Sequence, residues 1–125
     1  MEYIWVGVGG AAGAIARFAM TRYAIARFGD AFPWGTLTIN LLGAFAIGLI
    51  FTWLTDRSIA APAVRLVVIV GFLGGYTTFS SYTFEAVAMA QRGNWLGAWA
   101  YVFGSNVIGL TACAAGMVLA RQLQA

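Results

Sequence analysis

The sequence predicts an all-α membrane protein with four transmembrane helices, the third interrupted near its middle. Three observations carry that expectation. Of the 125 residues, 62% are hydrophobic and only 9% are charged, whereas a soluble domain carries about 25% charge. The few charges leave uncharged stretches of 25 residues at 31–55, 19 at 66–84 and 28 at 93–120, close to or beyond the roughly 20 residues that cross a bilayer. Within the third stretch, "GFLGGYTTFSSYTFE" places seven hydroxyl side chains among fifteen residues, directly behind a Gly74-Gly75 pair.

The first span is expected at about 3–24. Residues 3–16 carry no charge, and apolar residues resume after Arg17 as far as Met20. Its opening "MEYIWVGVGGAAG" lacks the basic region of a cleaved leader, so it reads as membrane helix. The second span is expected at 34–55, the third at 64–91 and the fourth at 95–121. Pro33 and Pro62 stand near the starts of the second and third, where proline is tolerated. The connections "ARFGDAFP", "DRSIAAPA" and "RGN" are short, so residues 1–125 read as one four-helix transmembrane domain. Glycines recur in helices one, two and four, where small residues let backbones approach closely in lipid. Trp34, Trp53, Trp95 and Trp99 fall near span ends, as an aromatic belt does.

All seven basic residues are arginines, and there is no lysine or histidine. Arg57, Arg65 and Arg121 lie on one side of the membrane. Arg22, Arg27 and Arg92 lie on the other, joined by Arg17 if it reaches that surface. Cytoplasmic loops normally carry an arginine excess; three against three or four sets no orientation. Either a weak bias or another signal still gives one topology, or the chain inserts both ways and assembles as an antiparallel, dual-topology homodimer. The second reading is the expectation here, since four short helices enclose little alone. A net charge of +3 without a basic cluster gives no footprint for nucleic acid. Lone Cys113, with no histidine, excludes an intrachain disulfide and a Cys/His metal site.

The polar run in the third span argues for a break around residues 74–80, because glycines weaken a helix and serine and threonine hydroxyls compete for its backbone groups. Irregular backbone at membrane depth must be buried in protein or face a wet cavity or an ion. The competing reading is that each hydroxyl bonds back to its own helix or holds helices together. Cation sites in membranes expose carboxylates, and the inner part of the spans offers only Glu85. Uncharged donors are plentiful: Asn40, Tyr76, Tyr82, Tyr101, Ser105, Asn106 and the hydroxyl cluster. Aromatic ring edges are positive, so Phe79 offers ring hydrogens to an anion, and Tyr82, three residues on, shares its face. Arg17 is either a snorkelling interfacial residue or part of a positive vestibule. Glu85 is either a packing acid or a pathway element, and Asn40 either helix glue or a pathway amide.

The motifs "GGAAGAIAR" at 9–17, "WGTLTIN" at 34–40 and "GFLGGYTTFSSY" at 71–82, in that order, resemble those of the small bacterial fluoride channels, the Fluc or CrcB family. The resemblance covers nearly the whole chain. It implies an antiparallel homodimer in the bacterial plasma (inner) membrane, with two pores that export fluoride passively. By that match Asn40 faces the anion path and Phe79 is the first of two pore-lining rings. Ser80, Ser81 and Thr83 are pore-side hydroxyls, Glu85 is the recurring glutamate, and Tyr101 and Ser105 form a polar line in helix four. Gly74 and Thr77 match the break whose carbonyls, from both subunits, hold a structural sodium ion. Tyr82 departs from the pattern, standing where the family has its second phenylalanine. The alternatives are a small four-helix multidrug exporter, which needs an acid within helix one where this chain has Arg17, and a non-transporting membrane assembly protein. No nucleophile–base pair or phosphate loop points to an enzyme.

Overall fold

In the computed structural model, which describes residues 1–58 and 61–125, the chain is helical nearly throughout. Ile59 and Ala60, in the expected loop "DRSIAAPA", lie outside the described residues. Helix one runs Glu2–Phe28, helix two Trp34–Arg57 and helix four Trp95–Gln124. Helix three covers Pro62–Gln91 and is built of pieces. All four are long and apolar enough to cross a membrane. At about 1.5 Å per residue the 27 residues of helix one reach roughly 40 Å, beyond the hydrocarbon core alone.

Local chemistry sets the ends. Helix one continues past the expected residue 24, because "AIARF" has no breaker, and stops at Gly29, whose φ of 78° suits glycine. Ser58 ends helix two in the left-handed region at φ 53°. Asn94 caps helix four by accepting the Gly97 amide at 2.9 Å.

Helix three breaks more narrowly than expected, at Thr77 and Thr78. Both are extended, with ψ of 156° and 116°. Its first arm, residues 62–76, contains a π-helical run at Leu66–Leu73, where the Gly74 amide still bonds to the Ile69 carbonyl five residues back. A π-helix of this length is uncommon, and "LVVIVGFL" reads as an ordinary apolar helix. The second arm, Phe79–Gln91, begins at Thr78, whose hydroxyl accepts the Ser81 amide at 3.2 Å.

Helix one packs along the first arm of helix three, helix two along helix four, and the second arm also against helix four. Glycine makes the first two seams possible. A Cβ on Gly9 would strike the Val67 carbonyl and one on Gly13 the Phe72 carbonyl. A Cβ on Gly75 would come within 2.5 Å of the Gly10 carbonyl. Between helices two and four, Gly48 lies on the backbone of Cys113, and Gly116 on that of Phe45 and Leu49. Such contact yields dispersion energy and Cα–H···O contacts, which hold helices where lipid offers no hydrophobic drive.

Candidate functional site

Two groups of the predicted residues separate in space. The first gathers around the break. Asn40 projects from helix two and engages one residue twice: its Oδ1 accepts the Thr78 amide and its Nδ2 donates to the Thr78 carbonyl, both at 2.9 Å. The amide thus gives the Thr78 N–H the acceptor that a continuous helix would supply, and it adds a donor to the Thr78 carbonyl at the start of the second arm. Arg17 donates from Nε to the Gly75 carbonyl at 3.0 Å and makes no ion pair among the described residues. Through this bond it ties helix one to the break. This pairing offsets the desolvation that makes an arginine costly in a span.

These bonds leave a definite remainder. With the Thr78 amide turned to Asn40 and the Ser81 amide turned to the Thr78 hydroxyl, the carbonyls of Gly74 and Thr77 lose the donors that helical continuation would give them. Both residues line an open cleft of about 460 Å³ with Asn40, Gly43 and Ile69. Two carbonyls at the break, those of Gly75 and Thr78, are therefore met by side chains, and the two expected as cation ligands have no partner among the described residues.

The second group runs along helices three and four. Phe79 is 77% exposed, and its ring lies 5.7 Å from that of Tyr82. Tyr82 meets Tyr101 edge-on at 5.2 Å, and Tyr101, fully buried, meets Phe32 in the same manner at 5.5 Å. Such edge-to-face contacts are favoured by the ring quadrupoles. The line ends at Glu85, whose Oε1 accepts from the Thr36 hydroxyl at 2.7 Å and whose Oε2 lies 3.5 Å from the Tyr101 hydroxyl. Glu85 and Thr36 open into a cavity of about 270 Å³ that also meets Asp30 and Arg92.

The hydroxyls divide by what they already bond. Thr83 donates to the Ser80 carbonyl at 3.0 Å, so its proton is spent on its own helix. Thr77 does the same to Leu73 at 2.9 Å. Ser81 accepts from the Thr78 hydroxyl at 3.1 Å. Ser80 is exposed, with the Thr78 hydroxyl 3.5 Å away. Ser105 keeps a buried hydroxyl with no partner among the described residues. Two contributors escaped the sequence reading. Phe32 carried no signal. Thr36 did, standing four residues before Asn40 and so on the same face of helix two.

A line of ring edges and unspent hydroxyls can replace the water of a small anion without trapping it, since none of these donors is formally charged. The comparisons with known proteins fit that chemistry. The family described as "CrcB-like protein, Camphor Resistance (CrcB)" matches residues 4–117. A relative named fluoride-specific ion channel FluC, from Koribacter versatilis, is 41% identical over 122 residues, which cover 98% of this chain and 97% of that protein. A protein of the same name from Sphingopyxis alaskensis is 47% identical over 120 residues, covering 96% and 95%. A third, from a Hydrogenobaculum species, is 44% identical over 119 residues, covering 95% and 97%.

Proposed function

The chain belongs to the CrcB family, and from that premise we infer that it is a fluoride-selective channel, passing fluoride passively out of the bacterial cytoplasm through the inner membrane. The observation that carries this reading is the line from Phe79 through Tyr82 and Tyr101 to Glu85, which joins an exposed ring to a cavity where Glu85, Thr36, Asp30 and Arg92 stand among apolar walls. Fluoride is small and strongly hydrated, so it needs several replacement donors at once. The ring edges, the Ser80, Ser81, Tyr82 and Ser105 hydroxyls and the spare Asn40 proton are of that kind. Thr83 contributes only after turning from the Ser80 carbonyl. Arg17 is assigned to the break before any vestibule, because its Nε is already bonded there.

The working unit in this reading is an antiparallel homodimer with two pores. Support comes from the even arginine count on the two sides and from the exposure of Phe79 and Asn106 on a single chain. A structural sodium ion between the subunits is part of the same proposal. The Gly74 and Thr77 carbonyls suit a hard cation, because oxygen ligands without amide partners are what such an ion takes in broken membrane helices. A drug exporter gains no support: the acid of helix one is Glu2, in its first turn.

The channel reading is tested by reconstitution into liposomes loaded with fluoride or chloride. Fluoride is expected to escape, followed with a fluoride electrode, while chloride stays inside. Equal release of both ions, or release of neither, would reject it.

A further inference from the structure

The Tyr82 hydroxyl has a partner that fixes which way its proton points. Asn106, on helix four, donates from Nδ2 to two acceptors: the Val102 carbonyl one turn back and the Tyr82 hydroxyl oxygen, both at 2.8 Å. An amide nitrogen carries two protons, so both are spent. Tyr82 is therefore the acceptor in this pair, and its own proton has no acceptor among the described residues. The ring packs edge-on against the fully buried Tyr101 at 5.2 Å, which, with the Asn106 bond, sets the direction of the hydroxyl. Beside Asn106 in sequence stands Ser105, whose buried hydroxyl is also unpartnered. Asn106 is itself exposed on the lone chain, although an amide facing hydrocarbon is costly. The pair therefore belongs on a surface that meets something polar.

We propose that the Tyr82 hydroxyl, oriented by Asn106, is a direct ligand of the transported anion and raises the affinity of the site. The inference rests on the channel reading above. A hydroxyl that accepts a hydrogen bond at oxygen is a stronger donor through its proton, and an anion is the acceptor that gains most from it. Asn106 is a positioning residue: it touches Tyr82, not the ion. The consequence for transport follows from the trade-off in channels, where a deeper site fills at lower concentration and empties more slowly. A phenylalanine at 82 would keep the ring edge and lose this ligand.

The test measures initial fluoride efflux from liposomes over a series of internal fluoride concentrations, with wild type, Tyr82→Phe, Asn106→Leu and the double variant. Loss of one charge-assisted hydrogen bond corresponds to about a tenfold change in affinity. Tyr82→Phe is expected to raise the half-saturating concentration by about that factor and to raise the maximal rate. Asn106→Leu is expected to shift it in the same direction, and the double variant no further than Tyr82→Phe alone. If Asn106→Leu does not assemble, Asn106→Ser, too short to reach the phenol, carries the same expectation. An unchanged half-saturating concentration in Tyr82→Phe overturns the ligand role, and fully additive shifts overturn the positioning role. Wild-type liposomes that hold their fluoride would instead overturn the channel reading, which separates the two failures.

Discussion

Asn40 and Arg17 both spend hydrogen bonds on the backbone of helix three. Each stands alone among apolar neighbours in the sequence, and each could equally have faced solvent. An uncovered buried carbonyl costs about 1–3 kcal/mol, so these side chains make a break affordable at two of its positions. Phe79 is the opposite case. At 77% exposure it contributes little to the core of its own chain, and its worth lies in the ring edge it presents. Phe79→Ile should therefore leave assembly intact, as judged by gel filtration in detergent, while fluoride efflux falls to the level of empty liposomes. Normal efflux from an intact assembly would dismiss the ring-edge role. The residue types of this site were legible in the sequence, but their partners were not. Nothing in "YVFGSNV" announces that Asn106 reaches back to Tyr82, since that contact depends on how helix four packs against the second arm of helix three.

Among the elements, helix three was the most legible and also held the largest surprise. Its run of glycines and hydroxyls pointed to an interruption, which falls at Thr77 and Thr78 and ends in an ordinary threonine cap. The π-helical stretch at Leu66–Leu73 left no trace in composition, because an unbroken apolar run such as "LVVIVGFL" is what any membrane-spanning helix shows, whatever its hydrogen-bond register. The same helix supplies the seam with helix one, where Gly9, Gly13 and Gly75 admit backbone against backbone. If the uncovered Gly74 and Thr77 carbonyls hold sodium between two copies, the cation stabilises the folded dimer by mass action. At 100 times the dissociation constant that amounts to about 2.7 kcal/mol. Replacing sodium by N-methylglucamine at equal ionic strength should lower the thermal midpoint of the purified protein. An unmoved midpoint would count against the cation.

As a whole, the molecule is unfinished along the path it is proposed to form. Phe79, Phe84, Phe103 and Val107 are all at least 60% exposed, Asn106 faces outward, and the cleft beside Gly74 and Thr77 is open. Lipid can cover the apolar side chains of such a surface but not its free carbonyls or its amide. A second copy inserted the other way would cover both, and the even distribution of arginines permits it. In the proposed assembly a fluoride ion crosses along a seam completed by an oppositely oriented twin. The most direct test of this assembly places a cysteine at each terminus in turn, in a Cys113→Ala background, and labels intact cells with a membrane-impermeant thiol reagent. With both orientations present in equal number, about half of each terminal cysteine is expected to be labelled from outside. Complete labelling of both termini, or of neither, is what a single orientation of a four-span chain gives, and either would contradict it.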